Sequence, residues 1–458
     1  MGEQESGKSR NRQPPATESP LHKMLAGRKA HLKPEQARQF AERIRSAREI
    51  PIAGEIQRQP VGATKPLSFS QERLWFLQQL DLEDRSLIRP VAVRLTGELN
   101  VALLERSLTE ISRRHEVLRA TFDNAGGSPK QRIASVCPIR LRVEDLSDLP
   151  IADRDLRTRA ILRENVRELF DLSTGPILRG TLVRLGIKEH ILLLVTHHIV
   201  FDAWSSEVLI DELFTVYGQL ARDSEPSLAA LPITYADYAR WQRQQYEAGT
   251  FSDSVAYWID ALHGLTDRVN LPTDRPRQAM QTSDGACEQL RLCPELVRDL
   301  KSLAETERTT LFSVLLAAFA ILIKRYTGME DFLIGTPVAG RGEIQTENLI
   351  GCFVNTLVLR CNLSGDPTGH KLVGRIRETV LNALEHQDVP FEKVVEAVHP
   401  DRELGHTPLF DVMFNLENVP HRLASSPGLT VEPYTLDVFA VGTDLVAEIR
   451  NEADGALT

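Results

Sequence analysis

The sequence predicts an α/β protein that is built on mixed sheets and divided into two lobes. Helix-like and strand-like patterns occur in both halves, without the strict alternation that a purely parallel sheet requires. The chain has 458 residues, more than a single hydrophobic core usually organises. Its 42% hydrophobic and 26% charged residues are ordinary for a globular protein.

Charge, cysteine spacing and apolar runs exclude several classes of protein. The formal net charge of -9 does not suit a basic groove for nucleic acid. The five cysteines show no CxxC or zinc spacing, which suits reduced thiols in a cytoplasm. The longest apolar run, 311–323, is too short to span a bilayer, and residues 1–4 open a polar stretch with no signal segment. We therefore expect a soluble cytoplasmic protein without nucleic-acid or membrane partners.

The chain divides into three predicted regions. Residues 1–64 are expected to form a disordered or linker segment that contains a short basic amphipathic helix at 35–45. An N-terminal lobe, 65–250, and a C-terminal lobe, 251–458, follow. A helix start rich in aromatic residues and then a proline-bearing connection lie at the boundary between the lobes.

The first lobe begins with a recognisable helix signal. Ser68 and Gln71 fit a capping box, and the helix that follows would turn Leu74, Phe76, Leu77 and Leu80 inward. Further helices are predicted from Asn100 to about 114, at 155–169 and at 207–220, and strands at 91–95, 121–122, 177–185 and 191–195.

The second lobe repeats the mixture of patterns. Helices are predicted near 294–307, 310–325 and 370–386, and strands at 331–335, after 350–356, from residue 411 and near residue 430.

Two adjacent histidines stand at the end of the apolar strand 191–195, at the turn into a helix. Because side chains alternate along a strand, His197 and His198 should point to opposite faces. This argues against a metal site made of both histidines and Asp202, since zinc needs convergent ligands. Two interpretations remain from the residues alone. In the first, the stretch holds a core histidine whose hydrogen bonds are satisfied, beside an Asp that caps a helix. In the second, one histidine acts as a general base or polariser, and Asp202 fixes the local geometry.

Seven stretches of the sequence form an ordered set. They are 68–77 (SFSQERLWFL), 114–122 (RHEVLRATF), 197–203 (HHIVFDA), 235–241 (YADYARW), 350–356 (IGCFVNT), 386–392 (HQDVPFE) and 401–410 (DRELGHTPLF). In this order they resemble the motifs of the condensation domains of nonribosomal peptide synthetases, whose signature is HHxxxDG. One such motif is weak evidence, whereas seven in order are strong evidence.

The resemblance implies a V-shaped pseudodimer of two lobes, similar to chloramphenicol acetyltransferase, with an active-site tunnel between the lobes. The implied reaction is amide formation, in which the amine of an aminoacyl acceptor attacks an acyl thioester donor. No tightly bound cofactor is implied, because the substrates are carried on phosphopantetheine and, for some donors, on coenzyme A. The implied partners are an acceptor carrier domain, an upstream carrier domain or a fatty acyl-CoA, and an adjacent adenylation domain.

The resemblance also implies roles for particular residues. His198 would face the tunnel and act as a general base or orient the amine, while His197 would be structural. Asp202 would pair with an arginine, either Arg341 or Arg114, and backbone N–H groups after Asp202 would meet the oxyanion. One position departs from the family's pattern, since Ala203 replaces the glycine of the signature. The alanine would cost stability if that glycine needs a positive φ, or narrow the tunnel if the substrate passes close to it.

The motif variants and the position of Met1 favour a starter domain that N-acylates a first amino acid with a fatty acyl-CoA, as in lipopeptide biosynthesis. The end at Thr458 suggests a domain cut from a longer synthetase. A D-donor domain fed by a carrier from another polypeptide of the synthetase is the alternative. A catalytically silent module that recruits a carrier or partner is a further hypothesis, motivated by Ala203 alone. An epimerisation domain shares the fold and the histidine pair, but the last motif speaks against it.

Overall fold

The computed structural model describes residues 55–60, 62–124, 129–265, 268–275, 283–399, 407–417, 425–426, 428–437 and 440–458. The basic helix predicted at 35–45 lies outside the described residues, as does the rest of the segment 1–54.

Eleven helices and strands make up the described first half of the chain. They are α1 (Phe69–Leu80), β1 (Ile88–Gly97), α2 (Val101–Arg114), β2 (Ala120–Asp123), β3 (Lys130–Ile133), β4 (Arg142–Asp145), α3 (Ile151–Arg167), β5 (Leu178–Gly186), β6 (Glu189–His197), α4 (Ala203–Leu220) and α5 (Tyr235–Glu247). Short 3₁₀ turns at Arg85–Leu87, Glu116–Arg119 and His198–Val200 connect some of them.

The described second half supplies another eleven. They are α6 (Ser252–Leu262), α7 (Pro294–Thr306), α8 (Leu311–Thr327), β7 (Asp331–Val338), β8 (Asn355–Asn362), α9 (Gly369–Glu385), α10 (Phe391–Val398), β9 (Val412–Leu416), β10 (Ser425–Ser426), β11 (Leu429–Pro433) and β12 (Leu445–Ile449). A 3₁₀ turn at Ile344–Thr346 lies between β7 and β8.

Local sequence explains why the helices begin and end where they do. Ser68 and Gln71 form the predicted capping box at the start of α1. Thr310 caps α8, and Gly328, with φ +75°, ends that helix in the left-handed region that favours glycine. The structure confirms the helices and strands that the sequence predicts within the described residues, with ends shifted by a few residues.

The strands form two mixed sheets and a hairpin. The larger sheet has the order β10-β11-β1-β6-β5-β4, the smaller one β12-β9-β7-β8, and β2 pairs with β3. Strand β6 is central in the larger sheet, which explains its continuous buried run from Ile191 to Leu194. Strand β11 comes from the second half of the chain and pairs antiparallel with β1, from Val93 opposite Pro433 to Gly97 opposite Leu429. The prediction of mixed sheets is confirmed.

Two groups of buried apolar residues form separate cores. One lies around the larger sheet, and the other lies around the smaller sheet and helices α6 to α10, with Phe251 as its first member along the chain. The first core also takes residues from the second half, namely Leu349, Ile350, Cys352, Phe353, Leu429 and Val431. The division at residue 250 therefore stays a prediction, and segments of the second half of the chain belong to the core of the first lobe.

Two predictions made from the sequence differ from the structure. The first concerns α1, in which Leu74 is buried as expected but Phe76, Leu77 and Leu80 are exposed, and the buried face includes the polar Gln71 and Gln78. These two amides lie inside because each has a hydrogen-bond partner there, Gln71 with the carbonyl of Ile199 and Gln78 with His197.

The second difference is that part of the predicted linker packs on the fold. Ile56 is 2% exposed and belongs to the first core. Its backbone N–H and C=O bond the side-chain amide of Gln345, at 3.1 Å each. Residues 55–60 thus contact the loop between β7 and β8.

Among the helices that the structure describes, none alone is long and apolar enough to cross a membrane. Helices α7 and α8 reach that length and apolar character only when taken together, and they are bent by 105° relative to each other.

Candidate active site

The two histidines lie where the central strand of the larger sheet ends. His197 is the last residue of β6, His198 begins the 3₁₀ turn, and α4 follows from Ala203. His197 is 1% exposed and packs edge-on against Phe170. Its Nδ1 accepts a hydrogen bond from the N–H of Ile199, so its Nε2–H donates to Oε1 of Gln78 at 2.9 Å. Burial, with the nearby charge of Arg89, lowers the pKa of His197 to about 3, so it is a neutral core residue.

His198 has a different environment. Protein surrounds its ring, yet the residue remains partly accessible. Its Nδ1 lies 2.6 Å from the carbonyl oxygen of Phe201, which only accepts, so the imidazole carries its proton on Nδ1 and donates it there. Nε2 is left with its lone pair and has no hydrogen-bond partner among the described residues. Burial, followed by the charge of Arg89, holds the pKa of His198 well below its usual value.

Asp202 caps α4 and forms a buried ion pair with Arg341. Its side chain accepts hydrogen bonds from the backbone N–H of Ser205 at 2.8 Å, from the Ser205 hydroxyl at 2.7 Å and from the N–H of Phe353 at 2.9 Å. Nη2 of Arg341 lies 3.0 and 3.3 Å from the two carboxylate oxygens. The other terminal nitrogen, Nη1, donates to the carbonyls of Thr346 and Leu349. The aspartate therefore joins the first lobe to the loop that follows β7.

The turn that delivers Arg341 depends on glycine. Gly340 has φ +62°, and a Cβ added there would lie 1.9 Å from the carbonyl oxygen of Phe353. No other residue type fits so close to that backbone.

Arg114, the other predicted partner of Asp202, forms an ion pair elsewhere. Its Nε lies 2.9 and 3.1 Å from the carboxylate of Glu212, which also contacts Nε2 of His115 at 2.8 Å. Nδ1 of His115 accepts from the N–H of Ile350 at 3.3 Å, so this buried network supports the segment before β8. Sequence reasoning missed His115 and Glu212, whose pairing no local pattern reveals because they are far apart in the chain.

Ala203 does not strain the helix that it begins. It is exposed and is not among the described residues with positive φ, so its backbone needs no glycine. Replacing the glycine of the HHxxxDG pattern by Ala203 therefore causes no backbone strain. Its only effect is an additional methyl group on the protein surface.

Three aromatic residues of the motifs are core residues. Trp75, Tyr235 and Tyr238 are buried. The hydroxyl of Tyr235 donates to the carbonyl of Cys352 at 2.6 Å and lies 2.8 Å from the Ser68 hydroxyl. Tyr235 thereby fixes the segment that carries Cys352, whose Sγ is 3.9 Å from Nδ1 of His198. Burial raises the pKa of the Cys352 thiol, so it does not serve as a nucleophile.

Two further kinds of candidate site in the described part of the molecule are groups of metal-ligating side chains and a surface cavity. No group of three or more His, Cys, Asp or Glu side chains there could hold a metal ion. A cavity of about 330 Å³ opens beside α2, lined by Arg58, Arg113 and Leu231 among others, and neither histidine of the pair reaches it.

The fold and this histidine site define a class of protein. The model of the condensation domain family matches residues 62–453, and the chain belongs to this family. Condensation domains of nonribosomal peptide synthetases are acyltransferases that form amide bonds.

Particular relatives are large synthetases. One of the polypeptides of the linear gramicidin synthase of Brevibacillus parabrevis is 43% identical over 406 residues, which cover 88% of this chain and 8% of the relative. Another polypeptide of the same synthase is 43% identical over 392 residues, 85% of this chain and again 8% of the relative. The chain thus spans less than a tenth of these proteins.

Solved structures support the two-lobed α/β fold. An X-domain from teicoplanin biosynthesis matches with a TM-score of 0.81 and 30% identity, over 88% of this chain and 90% of that one. The starter condensation domain of rhizomide synthetase, solved with C8-CoA and Leu-SNAC as a double mutant, matches with a TM-score of 0.74 over 86% and 87% of the two chains. At 20% identity, this second match shows the fold alone.

Proposed function

We propose that this chain forms an amide bond between an acyl thioester donor and the amine of an aminoacyl group held on a carrier's phosphopantetheine. The observation that carries the proposal is the tautomer of His198, whose Nδ1–H is held by the Phe201 carbonyl while Nε2 has no partner among the described residues. A neutral Nε2 that is accessible to substrate can accept a hydrogen bond from an attacking amine.

The low pKa of His198 indicates how it acts. Burial makes the imidazole a weak base, so it stays neutral at pH 7 and does not hold a proton for long. We infer that it orients the amine and takes its proton as the carbon–nitrogen bond forms, when the nitrogen becomes strongly acidic. The proton then passes to the departing thiolate, and the amide and a free thiol leave the site.

The remaining residues of the signature act on geometry. The carboxylate of Asp202 accepts hydrogen bonds from Ser205, Phe353 and Arg341. It therefore supports the turn after His198 rather than contacting substrate. Ser205 donates its N–H to Asp202, whereas the N–H groups of Ala203 and Trp204 have no partner inside the helix and can donate to a developing oxyanion.

We propose a carrier-bound thioester as the first candidate for the donor. The relatives at 43% identity belong to a large synthase of which one such domain is a small part, a context in which carriers can supply both substrates. Fatty acyl-CoA is the second candidate, favoured by the motif variants SFSQERLWFL and HTPLF. A lipid-accepting pocket would bind each added CH₂ with about 0.8 kcal/mol, until overpacking sets in.

The test supplies an acceptor carrier loaded with an amino acid and a donor, and detects product by mass spectrometry. One arm uses acyl-CoAs of increasing chain length, and the other uses a peptidyl group on a second carrier. Turnover that rises to an optimal chain length supports the acyl-CoA donor, whereas turnover only with the peptidyl carrier supports the first candidate. Absence of product in every arm would contradict amide formation and support the silent, partner-recruiting module. His370, which is exposed, provides the matched control: His370→Ala should form product at the wild-type rate.

A further inference from the structure

An arginine that the sequence reasoning missed lies next to the histidine pair. Arg89 is on β1, directly opposite Thr196 of β6, and its carbonyl accepts a hydrogen bond from the Thr196 hydroxyl at 3.2 Å. Thr196 precedes His198 by two residues, so Arg89 lies beside the end of β6 where His198 begins its turn. The nearby charge of Arg89 also contributes to the low pKa of both histidines.

One of the two terminal nitrogens of the Arg89 guanidinium forms hydrogen bonds within the protein. Nη1 donates to the carbonyls of Ser86 at 2.6 Å and Ile88 at 3.0 Å, which holds the head group in one place. Nε and Nη2 donate to no atom of the described residues. These two nitrogens form one edge of the guanidinium, and their N–H groups are parallel.

Arg89 lies inside the protein but is not fully buried. Protein surrounds it, yet the residue remains partly accessible, as His198 does. None of the described carboxylates forms an ion pair with it. By contrast, Arg94 on the same strand pairs with Glu189, and the buried Arg341 pairs with Asp202. A cation inside a protein is costly unless an anion compensates it. The charges of Asp84 and Glu448 act on Arg89 only from beyond ion-pair distance, and its open edge matches the two oxygens of a carboxylate.

We propose that Arg89 is a specificity-determining residue that binds a carboxylate of the substrate beside His198. The proposal rests on the amide-forming function above and names a class of substrate for it. The carboxylate belongs to the donor acyl group or to the side chain of the acceptor amino acid. The phosphate of a pantetheine arm is a less suitable ligand, because the whole arm separates it from the thioester that must reach His198.

The test is competition between matched substrates in the amide-forming assay. In the donor arm, glutaryl and pentanoyl thioesters compete for one acceptor. In the acceptor arm, Glu and Gln on the carrier compete for one donor. The wild type should prefer the carboxylate in one arm by about tenfold or more, the effect of a charge-assisted hydrogen-bonded pair. The arm in which the preference appears identifies the substrate that carries the group.

Variants of Arg89 separate specificity from general catalysis. Arg89→Gln should reduce the preference ratio to near one, mainly by raising KM for the carboxylate substrate, and Arg89→Lys should keep part of the preference. Arg94→Gln, on the same strand, is the matched control and should keep the wild-type ratio. Equal use of acid and amide by the wild type in both arms would overturn the proposal, as would an equal fall in kcat for both substrates in Arg89→Gln. Both of these contradicting results are measured on product that the protein forms. They are therefore distinguishable from a failure of the amide-forming function, in which no product appears.

Discussion

His197 and His198 are neighbours in sequence but have opposite tautomers. His197 accepts on Nδ1 and donates from Nε2, both to protein groups. His198 donates from Nδ1 and leaves Nε2 open. The strand end therefore separates a histidine that stabilises the fold from one that is available to substrate.

This difference predicts opposite effects of two alanine substitutions. His198→Ala should reduce the rate of amide formation by about 10²- to 10⁴-fold with little change in melting temperature, because it removes the group that handles the amine proton. His197→Ala should lower the melting temperature, since it leaves Oε1 of Gln78 and the N–H of Ile199 without these partners. Single-turnover kinetics and thermal melts measure the two effects. Wild-type rates in His198→Ala would refute its role.

The buried histidines also predict a pH dependence of stability. Both are neutral in the folded protein, so unfolding below the ordinary histidine pKa of about 6.5 takes up protons. The free energy of unfolding therefore falls as pH drops below about 6.5, and for His197 it continues to fall to its folded pKa of about 3. His197 alone should contribute a loss of about 2 kcal/mol at pH 5.

Urea unfolding at pH 7 and pH 5 measures this dependence. Acidic side chains contribute as well, so the comparison is between variants. His197→Gln should show a smaller difference between the two pH values than wild type, and His370→Gln, at an exposed position, should show the wild-type difference. Equal differences in all three proteins would argue against a neutral, buried His197.

At the scale of elements, the ion pair of Asp202 and Arg341 connects the start of α4 to the loop between β7 and β8. Asp202→Ala should cost about 3–5 kcal/mol, because it leaves a buried guanidinium without its anion. The exposed pair of Asp155 and Arg159 is the matched control, and Asp155→Ala should cost less than about 1 kcal/mol. Chemical denaturation gives both values. A stable but slow Asp202→Ala protein would instead assign the carboxylate a direct part in the reaction.

The elements themselves were largely predictable, because periodicity and capping are local. Ser68 and Gln71 were enough to locate α1, and the apolar run 191–195 was enough to locate β6. The predicted inward face of α1 was wrong, since Gln71 and Gln78 are buried by partners distant in sequence. For the same reason, sequence reasoning left the partner of Asp202 open and missed Arg89, whose position opposite Thr196 depends on strand register.

At the scale of the molecule, the second half of the chain completes the first lobe. β11 extends the larger sheet beside β1, and residues 349–353 fill the core of the first lobe. We predict that fragment 1–250 expressed alone exposes the free edge of β1 and aggregates. Co-expression with fragment 251–458 should yield a complex that copurifies. Light scattering and affinity copurification measure the two outcomes. A monomeric, well-folded 1–250 fragment would show that β11 is dispensable.

The crossing of β11 into the first sheet bears on how such domains can be recombined. A chimera joined near residue 250 would inherit β1 from one parent and β11 from another, and likewise Asp202 and Arg341, which are 139 positions apart. His115 and the backbone of Ile350 would be divided in the same way. Such a join therefore cuts through contacts that must match each other, and whole-domain exchange would preserve them. If the two parent domains differ at one residue of such a pair, the chimera should fold only when both residues of the pair come from the same parent.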